Sequence, residues 1–214
     1  ALLQNLIEDP AQDEELFFAE DFMARKFEKK KLSRLTEILR TSRKIEVDES
    51  YFRHPEMGVV ADYEARGASA HFSENYLWNA LFAVGFHEQL LGVDRHSEFE
   101  RLPGDLRGRF TTDHLTGLDW QTALTFDYAE SPLINVGEEG KALLGVFLDV
   151  VPRESLNRML EFMALDFWNR NSGFPDIFVI EGGVAKFIEV KAEGDSLKQS
   201  QLKQITALEK AGLP

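Results

Sequence analysis

The chain has 214 residues, of which 43% are hydrophobic, with 17 Phe, 4 Tyr and 3 Trp. This apolar content supports a folded core and excludes wholesale disorder. Because the sequence has no Cys, disulfides, thiolate zinc sites, iron–sulfur clusters and cysteine nucleophiles are excluded, and a reducing, intracellular environment is favoured. No apolar run approaches the ~18 residues that span a bilayer, so we expect no membrane association. The sequence begins with Ala1; we expect no signal peptide and expect the chain to be part of a longer protein.

Charge is distributed unevenly along the chain. The formal net charge is −13 at pH 7, which disfavours nucleic-acid binding because phosphate contacts depend on Lys and Arg. Residues 24–44, however, include nine basic and two acidic residues, for a net charge of +7. This basic segment is either the solvated face of a helix or a surface that follows phosphates, and Arg101, Arg107 and Arg109 would extend such a surface.

Helical spacing of apolar residues dominates the first 95 residues. In Glu14–Leu39, charged residues separate apolar positions, and no Pro or Gly interrupts the pattern. Tyr76–Leu91 is apolar over much of its circumference, which predicts a central buried helix that ends at Gly92. Residues 95–140 give no clear prediction.

The pattern changes period in the last third of the chain. Leu143–Val151 is a short apolar run, and Arg153–Asn169 has helical spacing. Asp176–Ile180 and Val184–Val190 then read as two strands, and Gly182 and Gly183 between them accept the positive φ angles of a hairpin turn.

A final helix is predicted over Leu197–Ala211, after a turn whose Asp and Ser residues can cap it. The order of elements is therefore a helical region followed by a helix, a hairpin and a helix. This order predicts an α+β or α/β fold in which helices pack against a small mixed sheet.

The predicted hairpin brings together groups that suit phosphodiester chemistry. Asp176 opens the first strand, and Glu189 and Lys191 share one face of the second because strand side chains alternate. The two carboxylates, with the Val190 carbonyl, are hard oxygen ligands for Mg²⁺ or Mn²⁺, and Lys191 would orient the attacking water or stabilise charge on the phosphate. A Glu–Lys pair on a strand is otherwise an ordinary solvated face, and that alternative stays open here.

Four stretches carry a resemblance to a known family. The hairpin and the helix after it resemble a VRR-NUC domain, a branch of the PD-(D/E)xK nuclease superfamily, and are most similar to the Fanconi-associated nuclease group. The similar segments, spread over about residues 60–212, are Gly173–Val179, Phe187–Lys191 and Asp195–Leu202, together with the upstream segment from Tyr63–Gly67 to His71–Asn75.

The resemblance implies roles for individual residues. Asp176 and Glu189 would be the core metal ligands, and Lys191 would be the catalytic lysine. Glu74 would be the helix carboxylate that joins the metal site, and Gln201 matches the group's glutamine on the helix after the core. One or two Mg²⁺ or Mn²⁺ ions are the implied cofactor.

The resemblance also implies a domain organisation. Residues 1–60 would be a helical, repeat-like region. Residues 61–214 would be a nuclease core with a restriction-endonuclease-like fold, α/β (α+β) in class, with a small mixed sheet flanked by helices. The group's domain usually continues into a further strand, so we expect the chain to be truncated at this end.

The activity that the resemblance implies is metal-dependent DNA cleavage. It would be a structure-specific 5′ flap endonuclease and 5′ exonuclease of DNA repair, including interstrand crosslink processing. Its partners would be branched or flap DNA and other repair proteins inside the cell. Two alternatives stay open: a junction-resolving nuclease of the same superfamily, and a non-catalytic helical scaffold that binds DNA or protein.

Overall fold

A computed structural model gives the fold of the chain and describes residues 2–8, 13–29, 34–91, 110–128, 131 and 133–214. Within these ranges, no helix is long and apolar enough to cross a membrane. The arginines that would extend the basic surface, Arg101, Arg107 and Arg109, lie outside the described residues.

The N-terminal part of the chain is helical, as the apolar spacing predicts. Its elements are α1 (Leu2–Glu8), α2 (Asp13–Lys26), α3 (Arg34–Thr41), a 3₁₀ turn at Glu49–Tyr51 and α4 (Pro55–Ala65). Helix α4 begins at Pro55, where the fixed φ of proline suits a first turn whose N–H needs no helical partner. Because α4 packs against the sheet and continues past residue 60, the boundary at 60/61 between a helical region and a nuclease core stays a prediction.

A central helix and its neighbours form the main core. The helices after α4 are α5 (Glu74–Gly85), α6 (His87–Leu91), α7 (Trp120–Ala123), α8 (Glu138–Val150), α9 (Arg153–Leu165), α10 (Phe167–Arg170) and α11 (Gln199–Ala211), with a 3₁₀ turn at Asp113–Gly117. In α5, Leu77, Trp78 and Phe82 are at most 1% exposed, which confirms the predicted burial. The helix predicted over Tyr76–Leu91 is not continuous, because α5 ends at Gly85 and α6 begins after Phe86.

Other predicted elements also differ in detail from the structure. The predicted helix over Arg153–Asn169 is interrupted at Asp166, whose backbone is extended (φ −159°) and separates α9 from α10. The apolar run Leu143–Val151 falls largely within α8, which begins earlier, at Glu138. In both places tertiary packing sets the helix ends, which apolar spacing alone does not encode.

The sheet has three strands in the order β1 (Ser69–Phe72), β2 (Ile177–Glu181) and β3 (Val184–Ile188). Both pairs of strands are antiparallel, so the prediction of a mixed sheet was wrong for the part of the chain that the structure describes. Gly182 and Gly183 have φ angles of +61° and +78°, the conformation that a two-residue hairpin turn needs. The α/β class itself is confirmed.

The two faces of the sheet pack against different layers. Phe178 belongs to the main core, where its ring lies 5.2 Å from that of Phe147 on α8. Ile177 and Val179 point to the other face and form a second cluster with residues of α4 that include Val59. The sheet is therefore covered on both faces, and its ends are where polar groups can reach solvent.

Gly173 allows the loop before β2 to approach α11 closely. Its φ is +86°, and a Cβ there would lie 2.7 Å from the backbone carbon of Ser200. Gly67 has a similar φ of +81° but has nothing within 4 Å of the corresponding position. The two glycines thus share a backbone conformation and differ in surroundings.

Gly173→Ala should destabilise the fold more than Gly67→Ala. The left-handed conformation costs an alanine about 1 kcal/mol at either site, and backbone overlap adds to this at Gly173 only, for a total of about 3 kcal/mol. Urea denaturation of the two variants measures the difference in the free energy of unfolding. Equal losses in the free energy of unfolding for the two variants would contradict the close approach of Gly173 to α11.

Candidate active site

Asp176 and Glu189 lie next to each other at one end of the sheet. Asp176 immediately precedes β2, Glu189 immediately follows β3, and the adjoining residues Ile177 and Ile188 are paired in the register. Because side chains alternate, the two acids lie on the opposite face from these isoleucines, on the side of α5 and α11. The hairpin thus places both carboxylates together, as its register predicts.

Glu189 is buried and is held through one oxygen only. Its Oε1 accepts hydrogen bonds from Lys191 Nζ at 2.6 Å and from Gln201 Nε2 at 2.6 Å. The side chain of Glu189 is 8% exposed and that of Lys191 is 19% exposed. Its second oxygen, Oε2, is buried without a hydrogen-bond partner. An unsatisfied buried carboxylate oxygen is energetically costly, so this atom marks a place for a positive or donating group.

Gln201 reaches Glu189 from the first turn of α11. Its Oε1 accepts a hydrogen bond from the backbone N–H of Lys198 at 2.9 Å, and this bond leaves the amide nitrogen directed at Glu189. The same bond caps the start of α11. Gln201 therefore joins the helix terminus to the carboxylate.

Asp176 ends the β2–β3 pairing and anchors α5. Its Oδ2 accepts the N–H of Val190 at 2.8 Å, so this N–H takes no part in the strand ladder. Strand β3 accordingly ends at Ile188 rather than at Val190 as predicted. The Asp176 carbonyl accepts from the N–H groups of Ser73 and Glu74 at 2.9 and 3.1 Å, which brings the first turn of α5 to the same end of the sheet.

Glu74 has a strained backbone at the start of α5. Its φ of +30° is unusual for a residue with a side chain, and such outliers cluster at functional sites. Asn75 next to it donates through Nδ2 to Glu74 Oε1 at 3.2 Å and accepts from Phe174 N–H at 3.2 Å. The strain is therefore maintained by contacts with the segment that leads to Asp176.

The electrostatics of the site favour a bound cation. The pKa of Glu189 is raised to about 7, first by burial and then by the negative charges of Asp176 and Glu74, against the opposing effect of Lys191. Burial also raises the pKa of Asp176, although the Val190 N–H and Lys191 act in the opposite direction. The carboxylates are thus short of compensating charge.

Glu56 on α4 is a further acid beside the site that sequence analysis did not identify. Its negative charge adds to the rise in the pKa of Asp176. Nothing in the local pattern could have indicated it, because the proximity depends on α4 packing across the sheet. The structure therefore places four acidic side chains, including Glu74, around this end of the hairpin.

The donor set fits a hard divalent cation, although the carboxylates are not gathered around a single point. In residues 2–8, 13–29, 34–91, 110–128, 131 and 133–214, no three His, Asp or Glu side chains stand close enough to hold a metal ion as they lie. The unpartnered Glu189 Oε2 and the neighbouring Asp176 are oxygen donors of the kind that Mg²⁺ and Mn²⁺ prefer. The assignment of Glu74 and the Val190 carbonyl as ligands stays a prediction.

The part of the chain that carries the hairpin matches a known domain family. Residues 114–214 match the family model described as the VRR-NUC domain. This part of the chain is similar to a VRR-NUC domain. Asp176, Glu189, Lys191 and Gln201 lie inside the matched range, whereas Glu74 lies before it. The family resemblance seen in the hairpin is thereby confirmed.

The whole chain also has the fold of part of a longer protein of known structure. It is similar to paFAN1 in two crystal structures, one "bound to 2nt 5'flap DNA with gap" and the other "bound to 1nt 5'flap DNA with gap". In each, the TM-score is 0.69 at 21% identity, over 100% of this chain and 44% of that chain. The chain thus spans less than half the length of these structures. No curated protein matches the chain.

The unfolding free energy of the metal-free chain should fall as the pH rises. The pKa of Glu189 is about 7 in the folded chain, above its ordinary value, so the folded state binds this proton more tightly. The contribution of protonated Glu189 to the free energy of unfolding should therefore be fully present below about pH 4.5. It should be lost as the pH rises through about 7, and the total loss should be up to about 3 kcal/mol. Urea denaturation in EDTA at several pH values measures this slope.

The matched control for this pH dependence is Glu189→Gln, which cannot ionise. Its slope should be shallower than that of the parent chain, and the difference isolates the contribution of Glu189 from that of the other titratable groups. Identical slopes for the two chains would contradict the raised pKa.

Proposed function

We propose that this chain is the catalytic part of a structure-specific DNA nuclease that hydrolyses phosphodiester bonds with a divalent cation. The observation that carries the proposal is the buried Glu189, which faces Asp176, is held by Lys191 and Gln201 through one oxygen and has the other oxygen unpartnered. The VRR-NUC match supports a nuclease, and the likeness to paFAN1 supports DNA as the substrate.

The cation would be held by the acids at the end of the hairpin. Asp176, Glu189 and the Val190 carbonyl would bind one or two Mg²⁺ or Mn²⁺ ions, with Glu74 joining from α5. Bound there, such an ion neutralises phosphoryl oxygens and lowers the pKa of water. The unpartnered Glu189 Oε2 is the free ligand atom that this assignment needs.

Lys191 is the residue of this chain best placed to act on the reacting atoms. Its ammonium group is fixed 2.6 Å from Glu189 Oε1, at the edge of the site, with 19% of the side chain exposed. From there it orients the attacking water and stabilises negative charge that develops on the phosphate. Gln201 is a positioning residue, because it acts through Glu189 rather than on the substrate.

Basic residues outside the site favour a DNA partner despite the net charge of −13. Arg25, Lys26, Lys29, Arg40 and Lys44 are all exposed in the N-terminal part. Arg25 is paired with Asp21 at 2.7 Å, an exposed contact of little energetic weight. We propose that this surface follows the phosphates of branched DNA.

The likeness to paFAN1, which is bound to 5′ flap DNA in both structures, supports a finer proposal. We propose 5′ flap endonuclease and 5′ exonuclease activity in DNA repair inside the cell, including the processing of interstrand crosslinks together with other repair proteins. A junction-resolving nuclease would instead prefer four-way DNA, so comparison of flap and four-way substrates separates the two activities.

Asp176→Asn and Lys191→Ala should each lower the rate of flap cleavage by about 100-fold or more. The first variant removes the negative charge of a metal ligand. The second removes the lysine ammonium group that orients the attacking water and stabilises the phosphate. Cleavage of a labelled 5′ flap substrate in Mn²⁺ or Mg²⁺ measures the rate, and excess chelator should abolish cleavage by the parent chain.

Lys186→Ala is the matched control for these cleavage variants. Lys186 lies on β3, the strand that leads into the segment with Lys191. Its ammonium group pairs with Glu181 at 2.6 Å, away from the site. This variant should cleave at the parent rate. Cleavage that survives chelation, or that persists in folded Asp176→Asn protein, would contradict the proposed function.

A further inference from the structure

A cavity of about 570 Å³ lies beside the candidate active site. One wall comes from α3 and the segment up to the start of α4, and the other from residues 188–193 and from α11. Glu189 and Lys191 belong to the second wall, so the cavity and the catalytic groups share side chains. The volume is within the range of pockets that hold a small organic group.

The walls of the cavity are mostly apolar and partly aromatic. Ile38, Leu39 and Ile188 provide aliphatic surface, and Tyr51 and Phe52 provide aromatic rings. Phe52 is 87% exposed, the highest exposure among the large hydrophobic side chains that the structure describes. The apolar lining is contiguous across both walls, and contiguous apolar surface in a concave site is typical of ligand binding.

We propose that this cavity receives an unpaired nucleobase from the DNA strand that is cut, next to the scissile phosphate. The inference rests on the proposed nuclease function and adds a contact to a base. A base that leaves the stack exposes flat apolar faces, and aromatic and aliphatic walls bind such faces without regard to sequence.

The position of the cavity favours a nucleobase over other apolar groups. A phosphate that reaches Lys191 belongs to a nucleotide whose base is about one sugar away, and the adjoining cavity is the apolar volume within that reach. A base held there would fix the strand relative to Glu189 and Lys191. The cost of unstacking is least for single-stranded or unpaired nucleotides, so the cavity would favour branched over continuous duplex DNA.

The test combines abasic DNA with removal of the Phe52 ring. A gapped 5′ flap substrate carries a tetrahydrofuran abasic residue at each position around the scissile phosphate in turn, and kcat/KM is measured in Mn²⁺. For the parent chain, one position should lower kcat/KM by about tenfold. Phe52→Ala should lose a similar factor on intact DNA and be insensitive to the abasic residue at that position.

Phe18→Ala is the matched control, because Phe18 is also well exposed (60%) but lies on α2, outside the cavity. It should behave like the parent chain on every substrate. The inference is overturned if the parent chain cuts all abasic substrates as fast as intact DNA. It is also overturned if Phe52→Ala protein on the abasic substrate loses the product of the two separate factors in kcat/KM. In either of these outcomes the parent chain still cleaves DNA in a manner that depends on Asp176. If the proposed nuclease function itself is wrong, the parent chain cleaves none of the substrates.

Discussion

The candidate site depends on a buried carboxylate that the chain satisfies on one side only. Glu189 Oε1 has two donors, Lys191 and Gln201, whereas Oε2 has none, and Asp176 adds a second partly buried acid. Desolvation of the carboxylates and their mutual repulsion destabilise the ionised pair. The presence of such a costly carboxylate therefore indicates a function. A bound divalent cation would compensate its negative charge and coordinate its unpartnered oxygen.

The rest of the fold holds this end of the hairpin in place. The Asp176 carbonyl binds the first turn of α5, and the Asp176 side chain binds Val190 N–H, so one residue connects the helix to both strands. Behind it, the Trp78 ring stacks on Phe174 at 5.4 Å and fixes the segment that leads to Asp176. Gly173 lets the same segment approach α11, which carries Gln201.

Sequence reasoning reached the parts of the site that depend on local pattern. The hairpin places Asp176 and Glu189 at paired positions because the spacing between them and the two-glycine turn fix the register. The four-residue strand β1 was missed, because it is short and pairs with β2 more than 100 residues later. The position of Glu56 beside Asp176 and the cavity next to Lys191 depend on packing between distant segments, which apolar spacing does not report.

Binding of Mn²⁺ to the metal-free chain, measured by isothermal titration calorimetry, tests the central claim most directly. The account predicts that the parent chain and Lys186→Ala bind one or two ions and that folded Asp176→Asn protein loses this binding. If the parent chain binds no Mn²⁺, or if Asp176→Asn binds it equally well, the acids at the end of the hairpin are not a cation site.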